Sequence, residues 1–376
     1  MTPTAEHRPT YARTDLDNLA YNFHSVREFL GPQNKVLAVV KANAYGHGAV
    51  GCSRRLESEG VDWLGVALPE EGIELREAGI RVPILVLGSF WPGQVDAILD
   101  HALTPVILTF EQASTLNNAA RRRDLIADCH LKIDTGMGRI GVRYDAVAEL
   151  ASKLSTLTNI RIDGVMTHFA AADDLEQRSF TKLQMQRFDQ SVEILRSNGF
   201  APTFVDLANS PAAIAYPESR RGMARIGGIL YGLGGDVLPA GIPAPTLKPV
   251  LSLRSAIAHL KNVPKGETLG YGRTFTTVRD SVIATVPIGY GDGYPRAVSN
   301  KGKVIINGSF APVVGRVSMD WTIVDVTDIS AAIGEEVTLI GQEGPLSIAA
   351  EDIAQWTGTI SYEITCGVSQ RVERRT

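Results

Sequence analysis

The chain has 376 residues, of which 44% are hydrophobic, and a formal net charge of −4. That length suits a large unit with a smaller one beside it. No basic stripe marks a nucleic-acid partner, no apolar run approaches the roughly 18 residues of a membrane span, and residues 1–9 lack the apolar stretch of a secretory leader. Cys52, Cys129 and Cys366 are odd in number and fit no zinc spacing. They read as reduced thiols of a cytoplasmic protein that binds no metal.

Residues 1–10 read as loose, with the segment after them packing on a C-terminal unit. From residue 35 onward, short apolar runs alternate with amphipathic stretches. The runs cover 36–40, 63–67, 84–87, 105–108, 130–133, 164–167, 203–207 and 223–226. The stretch 69–79 has Pro69 near its start and Gly79 after its end, a helix signature. Phe180, Leu183, Phe188, Val192 and Leu195 form a rough apolar stripe that Gly199 stops. Such alternation implies parallel strands joined by helical crossovers. Eight units point to an α/β fold, a (β/α)8 TIM-like barrel over 11–247. An open doubly wound sheet is the alternative, but no glycine fingerprint follows the first run. Past Lys248 the runs 250–260, 282–288, 302–306, 313–317, 322–326 and 336–340 are short, β-branched and separated by Gly, Asp or Asn. They predict a mainly-β domain over 248–376, with one helical stretch at 348–357.

In such a barrel the reactive groups sit at the C-terminal strand ends. The first run ends in Lys41, and a bare cation is costly to bury there. A desolvated lysine loses its proton more easily and can form a Schiff base with a carbonyl. Alternatively the side chain reaches out to water or pairs with a carboxylate. The fifth run leads through Lys132 and Asp134 to Arg139, the sixth to His168, the seventh to Asn209 and Ser210, and the eighth to Arg225, Gly227 and Gly228. Loops after the last two strands often bind phosphate in this fold, and glycines let an anion approach backbone N–H groups. A lysine for a carbonyl, a phosphate cradle and a strand-end arginine together imply pyridoxal 5′-phosphate, PLP.

Several segments then resemble the bacterial alanine racemases, PLP enzymes of fold-type III. They are Val40-Lys41-Ala42-Asn43-Ala44-Tyr45-Gly46-His47-Gly48, the stretch from His130 to Arg139, Thr167-His168-Phe169-Ala170, Ala208-Asn209-Ser210 and Ala224-Arg225-Ile226-Gly227. Further on, Gly270-Tyr271-Gly272-Arg273-Thr274, the stretch from Ile288 to Gly293 and the stretch from Val314 to Asp320 match as well. The likeness runs in order from about residue 10 to the C-terminus.

The resemblance implies an isomerase that interconverts L- and D-alanine by a two-base mechanism and supplies D-alanine for peptidoglycan. By it, Lys41 carries PLP, His168 lies against the cofactor ring, Arg225 faces the pyridine nitrogen, and Tyr45, Ser210 and Tyr362 surround the phosphate. Asn209, Gly227 and Gly228 complete the cofactor set. Lys41 serves one face of the substrate and Tyr271 the other, since one base does not easily reach both. Tyr271 and Met319 come from the partner of a homodimer, Met319 holding the substrate carboxylate through its backbone N–H. Arg139 contacts that carboxylate as well. Lys132 is carbamylated and holds Arg139, or it simply pairs with Asp134, which alternation puts on the same strand face. Tyr290, Arg296, Arg316 and Tyr362 line a corridor that admits a small side chain.

Pro211 after Ser210, Gly228 in place of a larger apolar residue and Glu373 in place of a proline depart from the family pattern. Three rivals stand beside the main reading. A racemase of broader alanine and serine specificity is the nearest. A PLP barrel decarboxylase has an acidic partner after its β-domain cysteine, whereas Gly367 and Val368 follow Cys366 here. A non-catalytic PLP carrier lacks the second domain.

Overall fold

The computed structural model describes residues 8–376. Eight parallel strands fall on the eight apolar runs: Lys35–Val39, Trp63–Val66, Ile84–Val86, Thr104–Ile107, Ala127–Asp134, Ile160–Met166, Phe204–Asp206 and Met223–Ile226. We number them first to eighth in that order. Each pairs with the next up to the seventh, and the eighth returns beside the first. The Arg225 N–H donates to Ala208 O at 2.9 Å and stitches the remaining seam. The result is a nearly closed barrel. Its strands are buried on both faces, which is why they read as continuous apolar runs.

Register sets the interior. Lys132, Met166 and Asp206 stand opposite one another across the fifth, sixth and seventh strands. Two residues earlier, His130, Gly164 and Phe204 form the next row. A Cβ on Gly164 would run into the His130 ring. Glycine there makes room for a stack of His130 on Phe204, with ring centroids 5.8 Å apart.

The helix Arg178–Ser197 departs from the expected stripe. Its buried side is Thr181, Gln184, Met185, Phe188, Ser191, Val192 and Leu195, whereas Leu183 is 38% exposed. Gln184 is tolerated inside because its amide is satisfied. It donates to Thr135 Oγ1 and His168 O, both at 3.1 Å, and accepts from Ala170 N–H at 3.0 Å.

The C-terminal region is a separate, mainly-β domain. The run 250–260 divides into Leu251–Ala256 and His259–Val263, which join different sheets. The run 313–317 forms no strand. It holds one bridge from Val313 to Val324, and Gly315 bends it with φ of 71°. The strand Ser309–Pro312 precedes it instead. The expected helix is Ala350–Thr357, and a second, Ser361–Gly367, follows it.

One expectation about the N-terminus changes. Looseness was expected over residues 1–10, of which 1–7 lie outside the described residues. Residues 8–10 are anchored: Arg8 pairs with the buried Asp292, and buried Thr10 donates to Pro287 O at 2.8 Å. Tyr11–Thr14, numbered within the barrel span but expected to pack on the C-terminal unit, does so: it lies between Leu251–Ala256 and Glu373–Arg375 in the β-domain sheet. No helix among the described residues is long and apolar enough to cross a membrane.

Candidate active site

A cavity of ≈460 Å³ opens at the C-terminal ends of the barrel strands. Eleven side chains or glycines singled out from sequence line it: Lys41, Tyr45, Lys132, Arg139, His168, Asn209, Ser210, Arg225, Gly227, Gly228 and Tyr362. They come from five strand ends and one helix of the second domain. Sequence separation therefore says nothing of their convergence, which the closure of the barrel produces.

Lys41 begins a turn that the sequence does not announce. In a strand–helix unit a right-handed helix commonly follows the strand directly. Instead Ala42, Asn43, Ala44 and Tyr45 all have φ between 52° and 55°, a left-handed turn, and the right-handed helix starts only at Ala49. Left-handed backbone costs an L-residue roughly 1–2 kcal/mol, so the turn needs support. Glu71 supplies it by accepting from Ala42 N–H at 2.7 Å, and Asn43 by accepting from Ala49 N–H at 2.7 Å. Gly46 ends the turn, since a Cβ there would collide with Thr365 O.

Arg225 is 4% exposed, and both terminal nitrogens of its guanidinium are held. Nη1 donates to the Asp206 carboxylate and backbone carbonyl, and Nη2 to Thr167 O at 2.8 Å and Leu207 O at 3.2 Å. Breaking a buried pair of this kind by removing one partner costs about 3–5 kcal/mol. Nη2 also meets His168 Nδ1 at 3.2 Å. A guanidinium only donates, so Nδ1 is the acceptor and the neutral His168 carries its proton on Nε2.

Charge is crowded here. Burial, and then Arg139, pulls the Lys41 amine below the usual lysine range. Lys132, 5% exposed, is pushed far down by burial and by Arg225. His168 is lowered by the same two causes. Lys132 does not pair with Asp134. That carboxylate accepts from Gly136 and Gly138 N–H at 3.0 and 3.1 Å, which shapes the loop toward Arg139.

At the far side Ser210 Oγ accepts from Gly227 N–H at 3.0 Å. The Tyr45 and Tyr362 rings pack edge-on with centroids 5.1 Å apart. A Cβ on Gly227 would meet Tyr45 Oη, and one on Gly228 the Tyr362 ring. Two hydroxyl-bearing rings thus abut bare backbone beside Ser210, an arrangement that fits a phosphate. With a desolvated amine opposite and a buried arginine between, the donor set fits PLP.

The β-domain candidates stand outside this cavity. Tyr271 is 71% exposed, Met319 52% and Tyr290 42%. Arg296 and Arg316 are exposed as well. They nevertheless share a region. Tyr290 N–H donates to Ser318 O at 3.0 Å and Gly291 N–H to Met319 O at 2.9 Å, while the Arg316 guanidinium crowds Gly272 next to Tyr271.

Sequence reasoning missed three supporting residues. Asp206, Glu71 and Gln184 touch Arg225, the Lys41 turn and the backbone at His168. A carboxylate at the centre of an apolar strand was a readable signal for Asp206, because a buried charge demands a partner.

Comparison with known proteins follows the same outline. Residues 14–234 match the family model "Alanine racemase, N-terminal domain" and residues 250–376 match "Alanine racemase, C-terminal domain". An alanine racemase of Halothermothrix orenii is 45% identical over 370 residues, covering 98% of this chain and 96% of that one. An alanine racemase structure from Clostridium difficile has a TM-score of 0.91 at 37% identity, covering 98% of this chain and 96% of its own. One from Bartonella henselae, with covalently bound pyridoxal phosphate, has a TM-score of 0.87 at 28% identity, covering 98% and 99%.

Proposed function

The chain belongs to the alanine racemase family, and from that premise we propose how its own residues divide the work. The reaction is the PLP-dependent interconversion of L- and D-alanine. When bound, PLP draws electron density from the substrate α-carbon and so acidifies its C–H bond.

Lys41 holds the cofactor and moves the proton on one face of the α-carbon. Its partial burial supports this, since burial and then Arg139 lower its pKa and so favour the proton-free amine that can accept that proton. Tyr271 moves the proton on the opposite face. Arg225 would donate to the pyridine nitrogen of the bound cofactor. A guanidinium facing that nitrogen would disfavour a proton there, limiting how far charge spreads into the ring and suppressing side reactions. His168 lies against the ring, oriented by Arg225. Tyr45, Asn209, Ser210, Gly227, Gly228 and Tyr362 hold the phosphate. Arg139 orients the substrate carboxylate, and Lys132, whose amine burial and then Arg225 push far down, is open to addition of CO2 with loss of a proton, the carbamate then holding Arg139.

Exposed Tyr271 and Met319 support a homodimer in which each site takes these two residues from the partner. Tyr290, Arg296 and Arg316 then border the corridor to the site. We place the domain boundary at Lys248, whose N–H donates to Asn22 Oδ1 at 2.7 Å just before the strand Leu251–Ala256 begins.

The observation that carries this reading is the convergence of Lys41, Arg225, Ser210 and Tyr362 on one cavity. Borohydride treatment of the PLP-loaded enzyme followed by peptide mapping tests it. The expected product carries the reduced cofactor on Lys41. Label on any other residue would overturn the assignment, and unchanged optical rotation of L-alanine with intact PLP absorbance would point to a carrier rather than a racemase.

A further inference from the structure

Asp206 has no role in the assignments above, yet it is the most deeply placed acid of the site. It is fully buried on the seventh strand, and its Oδ1 accepts from Arg225 Nη1. Its Oδ2 has no hydrogen-bond partner among the described residues. It shares a barrel row with Lys132, two strands away. Strands lie about 4.8 Å apart, so both inward side chains reach one interior space.

The charges around it come from every neighbouring element. Lys132 and His130 stand on the fifth strand, His168 follows the sixth, Arg225 lies on the eighth, Lys41 follows the first, and Arg139 extends from the loop after the fifth. The other carboxylates are committed elsewhere. Asp134 accepts from the amides of Gly136 and Gly138, Glu71 from those of Ala42, Ala67 and Leu68, and Asp173 is exposed at the rim. Two lysines and two arginines are thus faced by one buried acid.

Arg225 adds a geometric constraint. Its Nη1 and Nη2 are taken by Asp206, Thr167, Leu207 and His168. Its Nε–H alone has no acceptor among the described residues, and Arg225 lines the cavity.

We propose that Asp206 is a positioning residue for the racemase reaction: it grips Arg225 so that only Nε–H is left for the cofactor's ring nitrogen, and it is the internal counter-charge of the Lys41, Lys132, Arg139 and Arg225 cluster. The inference rests on the assignment of Arg225 to that nitrogen. It explains how two lysines and two arginines share one cavity before any anionic substrate or phosphate arrives.

Asp206→Asn is the test, because it keeps an acceptor for Arg225 and removes only the charge. A more positive site favours the neutral amine. The acid limb of kcat/KM and the midpoint of the absorbance titration of the PLP-loaded enzyme therefore both move to lower pH, by about one unit. With Arg225 less firmly held, kcat falls roughly ten-fold. A residue that merely supported the fold would move neither titration. Both values staying within about 0.2 unit of wild type would overturn the proposal.

Should Asp206→Asn fail to fold, Asp206→Glu replaces it. That variant keeps the charge but displaces the grip, so the acid limb stays in place while PLP binds about ten-fold more weakly, measured by equilibrium dialysis. Wild-type PLP affinity there would sink the proposal. Arg225→Lys in parallel separates the two claims. If it leaves the cofactor spectrum and affinity untouched, the assignment of Arg225 fails, whatever Asp206 does.

Discussion

The barrel mouth and the turn region of the β domain are built on opposite plans. At the barrel mouth Arg225, Lys132 and Asp206 are almost wholly buried, and Arg225 braces the ends of the sixth, seventh and eighth strands. On the β domain Tyr271 and Met319 stand in the open, set on backbone turns with exposed charges such as Arg316 beside them. Preorganised charge is expensive to build and must be walled off from water to act. An exposed phenol acquires comparable surroundings only when another surface covers it. The contrast teaches that the proposed cofactor cradle is assembled within one chain, whereas Tyr271 and Met319 stand on a surface that only another surface would wall off from water.

The largest break in that contrast is at the cradle itself. Lys41→Ala is expected to remove covalent cofactor attachment and lower racemisation by more than about 10⁴-fold, measured by absorbance and polarimetry. Retained activity without added amine would contradict the role given to Lys41. Tyr271→Phe comes next. We expect α-deuterium exchange from L-alanine to fall by about 10²–10³-fold and exchange from D-alanine by much less. Equal losses on both faces would remove the division of labour.

Mixing sharpens the comparison further. If Tyr271 crosses to a partner, a hybrid of Lys41→Ala and Tyr271→Phe chains contains one intact site and one doubly altered site. Co-refolded equimolar chains should then recover roughly a quarter of wild-type activity, since half of the randomly paired dimers are hybrids and each has one of two sites intact. No recovery would place both groups in one chain.

Smaller effects probe the cradle's packing. Gly228→Ala forces a Cβ into the Tyr362 ring. Such overpacking costs about 1–3 kcal/mol, and we expect PLP affinity to weaken by about ten-fold, read by dialysis. Unchanged affinity would show that Tyr362 yields freely.

The smallest effect concerns acid. Burial holds His47 down to about 4 and His130 down to about 3. Between pH 7 and 6 the unfolded chain takes up protons on these residues that the folded chain refuses, so stability falls as pH falls. The loss between pH 7 and 6 is roughly 0.7 kcal/mol for each. Urea midpoints at the two pH values measure it, and a flat profile would mean that both rings are hydrated in the folded state.

Much of this was legible before any coordinates. Each of the eight apolar runs fell on a barrel strand, because a parallel strand buried on both faces needs continuous apolar residues and helical crossovers space them evenly. The polar residues that end those runs were equally readable, since the fold places its chemistry there. The β domain was harder. The run 250–260 looked like one strand although it serves two sheets, and the alternation of a strand does not say which neighbour it will pair with.

Three features belonged to the folded chain alone. The left-handed turn after Lys41 is built from alanine, asparagine and tyrosine, residues with no strong preference for it, and it exists because Glu71 and Asn43 brace it. The grip of Asp206 on Arg225 joins strands that meet only when the barrel closes. The row of Lys132, Met166 and Asp206 depends on register across three strands. Local periodicity reflects each residue's own burial and so survives in the linear chain. Pairing, register and the charge that one side chain presents to another are long-range contacts, which come into being only as the barrel closes.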